Sequence, residues 1–158
     1  CNDTAYREYD SVAKTCICMQ GYYQTSTTTE ECSKCDSRCL TCVGTATNCT
    51  ACDASNNRIL TSNACPCKTS FYENAFIMCA SCHLYCYTCT HSSECLSCIS
   101  STGMTKNSSN LCACPLDKFH NTTSNVCEGC DHSCATCDPS SPTKCKTCPA
   151  SSFRTLSS

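Results

Sequence analysis

Tryptophan is absent from this 158-residue chain, glycine numbers only 4 and methionine 3, and leucine, isoleucine, valine and phenylalanine together number 18. So few large apolar side chains cannot offset the entropy of ordering the backbone through a hydrophobic core alone. No apolar run approaches the ~18–20 residues of a membrane-spanning helix. No signal-type leader precedes Cys1, which is not an initiator methionine, so the sequence reads as a mature or excised piece of a larger secreted product. Charge of one sign is lacking too: 11 basic against 13 acidic residues, interspersed, leave −2. That balance points away from nucleic acid and from an anionic membrane as partners. No Ser-His-Asp order, paired acids, glycine-rich phosphate loop or calcium loop stands out. The reading is non-enzymatic, with no cofactor.

What the chain does have is cysteine, 25 of 158 residues, well beyond the ~8–10% that marks a disulfide scaffold. Twenty-four of them follow one rule used three times: C-x-C, a gap, C-x-x-C-x-x-x-C-x-x-C, a short gap, C-x-x-C. The first pass runs from Cys16 to Cys52, the second from Cys65 to Cys98, the third from Cys112 to Cys148. Bridges at this density persist only in an oxidising compartment, which makes the chain secreted, extracellular or cell-surface.

More than cysteine repeats. Tyr22 and Tyr23 follow the first C-x-C, Phe71 and Tyr72 the second, and Phe119 with His120 the third after one inserted residue. A ring there covers a disulfide as a small core; a ligand-binding aromatic platform is the alternative. C-N-D-T-A-Y-R at 1–7 resembles C-P-A-S-S-F-R at 148–154, so Cys1 is expected to be the last cysteine of an upstream repeat. Cys1, Cys52, Cys98 and Cys148 mark one phase point, with three periods averaging 49 between the first and the last. The expected organisation is 1–51 as repeat 1, 52–97 as repeat 2, 98–147 as repeat 3, and 148–158 as the start of a further repeat. Serine and threonine make up 45 residues and turn formers separate almost every cysteine pair. The expected fold is a small disulfide-rich repeat protein, an elongated rod of short β-ribbons around the C-x-C and aromatic segments, irregular loops elsewhere and little or no helix.

Equal spacings suggest a pairing. Joining first to third and second to fourth in each central block predicts Cys32–Cys39 with Cys35–Cys42, Cys79–Cys86 with Cys82–Cys89, and Cys127–Cys134 with Cys130–Cys137. The trailing C-x-x-C then pairs forward with the next C-x-C: Cys1–Cys18, Cys49–Cys65, Cys52–Cys67, Cys95–Cys112 and Cys98–Cys114. This ties successive repeats side by side and leaves Cys16, Cys145 and Cys148 as halves of an inter-repeat or inter-chain junction. A direct Cys145–Cys148 bridge is the plainer alternative.

Other chemistry is weaker. Four-thiolate zinc sites use C-x-x-C pairs, but here each pair belongs to the repeated lattice, so no metal is expected. A thiol oxidoreductase needs one such pair on a thioredoxin-like sheet, which nothing in the pattern predicts. His83, His91, His120 and His132 share no column and read as exposed loop groups. N-x-S/T sequons at Asn2, Asn48, Asn107 and Asn121 are glycan acceptors, with Asn48 constrained by the neighbouring Cys49, and Thr25 to Thr29 form a run open to O-linked sugar.

The segments C-S-K-C-D-S-R-C-L-T-C-V-G-T-A-T-N-C-T-A-C at 32–52 and C-E-G-C-D-H-S-C-A-T-C-D-P-S-S-P-T-K-C-K-T-C at 127–148 resemble furin-like cysteine-rich repeats of the growth-factor-receptor class. The C-x-C-x-x-G-Y-Y segment at 16–23 is similar to that of long cysteine-rich surface proteins of ciliates. The resemblance covers the whole chain and implies architecture more than function. Two functions follow from it: an extracellular structural glycoprotein that is the repeat unit of a fibre, coat or matrix and partners itself head to tail, or a ligand-binding or adhesive receptor-like ectodomain. In-phase ends, near-neutral charge and the absence of an outstanding apolar patch favour the first.

Overall fold

A computed structural model describes residues 1, 6–26, 31–152 and 155–156. Sixteen short strands pair into eight two-stranded antiparallel ribbons and no larger sheet forms among them. The ribbons are β1 (Arg7–Asp10) with β2 (Thr15–Cys18), β3 (Tyr22–Gln24) with β4 (Cys32–Lys34), and β5 (Cys39–Cys42) with β6 (Cys49–Cys52). They continue as β7 (Phe71–Glu73) with β8 (Cys79–Ser81), β9 (Cys86–His91) with β10 (Glu94–Cys98), and β11 (Thr105–Lys106) with β12 (Cys112–Ala113). The last two are β13 (Lys118–Asn121) with β14 (Val126–Gly129), and β15 (Thr136–Asp138) with β16 (Ser141–Thr147). Helix is confined to three single 3-10 turns among the described residues. The chain divides into two compact units, Cys1–Ala80 and Ser81–Ser158, and every disulfide lies within one of them.

Each period uses the ribbons in the same order: an opening hairpin that returns through the C-x-C, a middle ribbon that starts on the aromatic pair, and a closing ribbon built from the last two C-x-x-C pairs. In the second period the opening hairpin is reduced to the isolated bridges Arg58↔Cys67 and Thr61↔Ala64. The closing ribbons were expected to be irregular chain. They form because C-x-x-C at both ends of a short polar loop can close into a hairpin, bulged in all three copies. Left-handed residues make the tight turns: Lys14, Asn63 and Asn110 each sit two residues before a C-x-C, with φ of 54°, 60° and 57°. Asparagine tolerates that region at small cost.

The cysteines pair differently from the equal-loop scheme. Residues 1–51 close Cys1–Cys16, Cys18–Cys32, Cys35–Cys42 and Cys39–Cys49. Residues 52–97 close Cys52–Cys65, Cys67–Cys79, Cys82–Cys89 and Cys86–Cys95. Residues 98–147 close Cys98–Cys112, Cys114–Cys127, Cys130–Cys137 and Cys134–Cys145, and Cys148 is a free thiol. The expected Cys1–Cys18, Cys32–Cys39, Cys49–Cys65, Cys52–Cys67, Cys79–Cys86, Cys95–Cys112, Cys98–Cys114 and Cys127–Cys134 links are not formed. Cys16 and Cys145 are joined inside their own periods, so neither is a junction half, and Cys145 is not bridged to Cys148.

The reason lies in strand geometry. Successive side chains on a strand point to opposite faces, so two cysteines three apart face opposite ways and seek different partners. On β5, Cys42 turns back to Cys35 while Cys39 crosses its own ribbon to Cys49. On β6, Cys49 is thereby used and Cys52 faces onward to Cys65. In C-x-C the two cysteines share a face, and one reaches back while the other reaches forward, as Cys16 and Cys18 do.

Sulfur also forms the interior. Of the ten buried apolar residues among those described, nine are cysteines and the tenth is Met104. The main cluster packs Cys86, Cys95, Met104 and Cys112, flanked by Tyr85, Leu111 and Cys127. Large apolar groups such as Leu116 and Phe76 stay in solvent. Replacing the buried pair by Cys86→Ala with Cys95→Ala should cost about 2–4 kcal/mol in calorimetric or denaturant unfolding, whereas Leu116→Ala should stay within about 0.5 kcal/mol.

Candidate functional site

Two contacts between successive periods repeat the same geometry, and both are built from the positions that the cysteine phase sets in register. In the first unit, the Cys49 N–H on β6 donates to the Asn63 carbonyl at 2.8 Å. Two residues after Asn63, Cys65 lies with Sγ 3.6 Å from the Ala51 carbonyl oxygen. In the second unit, the Cys95 N–H on β10 donates to the Asn110 carbonyl at 2.8 Å, and Cys112 Sγ lies 3.9 Å from the Ser97 carbonyl oxygen. The left-handed φ at Asn63 and Asn110 turns each carbonyl toward the preceding ribbon.

Around this shared contact the chemistry differs. Six positions after Cys52 and Cys98 stand Arg58 and Met104, both buried, at 4% and 8% exposure. The Arg58 guanidinium donates to the Cys65 carbonyl at 2.7 Å, the Ile77 carbonyl at 2.6 Å and Glu73 Oε2 at 2.9 Å, so the buried cation is paired. Glu73 is gripped from the other side by Arg38, whose Nε and Nη2 donate to the two carboxylate oxygens at 2.8 and 2.6 Å. This is the planar two-point pairing that arginine provides. Arg38 belongs to the first period and Glu73 to the second, so the fork spans the contact.

Hydrogen bonding from Arg38, and then from Arg58, holds the Glu73 carboxyl well below the ordinary carboxylate range, at about 2, against a desolvation penalty that acts to raise it. The Arg38 guanidinium is correspondingly pushed above its usual range, first by its hydrogen bond to Glu73.

At the second contact, Met104 lies in the sulfur cluster and aromatic packing replaces the ion pairs. The Tyr85 and His120 rings meet edge to face with centroids 5.2 Å apart, and the Tyr85 hydroxyl lies 3.2 Å from His120 Nε2 and donates to Asn125 Oδ1 at 3.3 Å. His120 is therefore half-buried on β13 rather than an exposed loop group. His83, His91 and His132 are exposed. Tyr22 stacks on Tyr6 with centroids 4.3 Å apart, so the aromatic column packs against neighbouring rings in both units. Neither Arg58 nor Met104 stood out in the sequence; aligning the columns six residues after each phase-point cysteine is the signal that finds them.

The sulfurs of Cys86, Cys95 and Cys112 lie within 4.8 Å of one another. All three are consumed in disulfides, two adjacent bridges that leave no thiolate to coordinate a metal. No helix among the described residues is long and apolar enough to cross a membrane.

The sequons differ in geometry. Asn48 is half-buried, its Nδ2 donates to the Val43 carbonyl at 2.9 Å, and the middle residue Cys49 is bonded to Cys39. Asn121 Nδ2 donates to Glu128 Oε1 at 2.8 Å. Asn107 is exposed, its Oδ1 accepts the Ser109 and Leu111 amides at 2.9 and 3.0 Å, and its sequon contains no cysteine. Asn2 and residues 27–29 of the threonine run lie outside the described residues.

No family model matches the chain, and no solved structure matches it. In a 137-residue alignment that covers 83% of the chain, it is 26% identical to the extracellular matrix organizing protein FRAS1 of Homo sapiens. The matched stretch is 3% of that relative's length.

Two outcomes follow from this geometry. A Glu73 carboxyl depressed from 4.5 to about 2 adds stability that is fully present above pH 4.5 and is lost as pH falls through about 2. Carbon-detected NMR titration should find its midpoint near 2, and Glu73→Gln should reduce the pH dependence of unfolding across that window, the remainder coming from Asp53, Glu128 and Asp138, which hydrogen bonds also hold below their ordinary values; a midpoint near 4.5 would contradict the fork. For glycans, enzymatic deglycosylation in heavy-oxygen water should label Asn107 and leave Asn48 and Asn121 unlabelled in chain secreted from eukaryotic cells.

Proposed function

We propose that this chain is a stretch of an extracellular structural array, a glycoprotein of furin-like cysteine-rich repeats that serves a matrix, coat or fibre, with 1–51, 52–97 and 98–147 as its units. In this reading the role is mechanical and organisational rather than catalytic. The observation that carries it is the recurrence of one joint. Each unit closes four disulfides of its own and meets the next through the same amide-to-carbonyl contact, Cys49 to Asn63 and then Cys95 to Asn110. A unit that is complete in itself and presents one face to its successor suits extension by repetition, with neighbour contacts adding along the array. The density of bridges requires an oxidising compartment, and the likeness to a protein named as a matrix organiser supports the same setting.

One feature favours a second reading, an adhesive ectodomain. The tip between β7 and β8 is apolar, with Phe76 83% exposed beside exposed Ile77 and Met78. Asn74 Oδ1 accepts the Phe76 and Met78 amides at 2.9 and 3.1 Å and so braces the tip. The corresponding loops of the other periods are Thr, Ser, Asn and Glu.

Secretion of the chain by cells that deposit a matrix, followed by detergent extraction and electron microscopy, tests the first reading. It expects the protein in the insoluble fraction, in assemblies whose axial spacing is a multiple of one unit. Fully soluble, dispersed protein whose cell binding is abolished by Phe76→Asp would replace it with the second.

A further inference from the structure

The joints inside the chain bury the same cysteines each time. Cys49 and Cys95 are 2% and 0% exposed, each beneath the hairpin tip of the period that follows, and Cys65 and Cys112 are buried against the period that precedes. Their counterparts in the third and first periods, Cys145 and Cys16, are only half-buried. Both belong to closed disulfides, Cys134–Cys145 and Cys1–Cys16, so the exposure does not come from an open bridge. What differs is a neighbour.

The space around Cys145 is shaped like the joint. At the first joint the tip residues Ala64 and Cys65 of the second period meet Arg38, Thr47 and Cys49 of the first, and together they line a pocket of about 180 Å³. In the third period the matching residues Ser133, Thr143 and Cys145 line a larger groove of about 520 Å³, with Cys148 and Leu156 on its wall. One hydrogen bond beside each ribbon recurs: Asp36 N–H donates to the Ala46 carbonyl at 2.8 Å, and Asp131 N–H to the Pro142 carbonyl at 2.9 Å. Cys148 holds the column of Cys52 and Cys98, which close on a C-x-C cysteine 13 and 14 residues later. In the first period Lys14 has the left-handed φ of 54° shared by Asn63 and Asn110.

We propose that this groove is the seat for the hairpin tip of a further repeat of the same kind, carried on the same polypeptide and opened by residues 148–156. The Cys145 N–H donates to the carbonyl of a left-handed residue two positions before a C-x-C, as Cys49 and Cys95 do within the chain. Cys148 closes on the first cysteine of that C-x-C. The two thiols lose two protons and two electrons to form the bond, and a disulfide of the oxidising compartment, such as glutathione disulfide, takes them up and leaves as two thiols. The inference rests on the modular reading above.

The test uses the full chain and the full chain extended after Ser158 by residues 63–97, which supply a tip and seven cysteines. In the unextended chain, amide exchange should be slow at Cys49 and Cys95 and fast at Cys145. The extension should slow Cys145 by about tenfold or more and abolish labelling of Cys148 by thiol reagents. Because one junction sequence can misfold, a second extension by residues 110–147 should give the same result. Fast exchange at Cys145 in both extended chains, with Cys49 and Cys95 still slow, overturns the groove and leaves the modular reading standing. Fast exchange at Cys49 and Cys95 themselves sinks the modular reading. Protection of Cys145 in the unextended chain that rises with protein concentration assigns the groove to a second copy and overturns the assignment to one polypeptide.

Discussion

Covalent closure of short loops is the constraint from which the rest of this structure follows. The twelve disulfides span sequence separations of only 7 to 15 residues. In the chain-entropy account a loop near the upper end of that range contributes about 3 kcal/mol by restricting the unfolded ensemble. Stability supplied in this way does not require a large apolar interior. The chain accordingly leaves Val12, Phe76 and Leu116 in water, and its buried apolar residues are almost all the bridges themselves.

Closure also dictates where backbone polar groups go. Ribbons of two strands leave half of their amides and carbonyls unpaired, and the structure satisfies some of them across successive periods rather than within a sheet. The amides of Cys49 and Cys95 are such groups. A contact made through backbone atoms is indifferent to side-chain identity, so it persists while its surroundings change. At one column the chain carries Arg58, satisfied by two carbonyls and Glu73, and at the same column one period later it carries Met104 in the sulfur cluster. Replacement of a buried, fully paired ion by an apolar side chain of similar length costs little when no partner is left uncompensated. Two side-chain chemistries can therefore surround one backbone contact.

Much of the local architecture was legible in the residues. The aromatic pairs predicted ribbons at Tyr22, Phe71 and Phe119, and β3, β7 and β13 begin on or beside them. The scarcity of helix followed from turn formers between nearly all cysteine pairs. The closing ribbons and most of the pairing were not legible, because equal loop lengths carry no information about the two faces of a strand. Cys39 and Cys42 are equivalent by spacing but face opposite ways, and only that separates the Cys39–Cys49 link from the expected Cys32–Cys39. The half-burial of His120 was not legible for a related reason: its environment is set by Tyr85, 35 residues away, which no local pattern reports.

By itself the sequence determined that the chain is held by sulfur, that its structure recurs at intervals set by Cys1, Cys52, Cys98 and Cys148, and that an oxidising environment is needed, because composition and spacing are properties of the chain before it folds. Which cysteine meets which, which carbonyl turns toward the preceding ribbon, and which polar side chains become buried were decided only in three dimensions. Those outcomes depend on the direction in which each side chain leaves the backbone, and that direction exists only once the ribbons have formed.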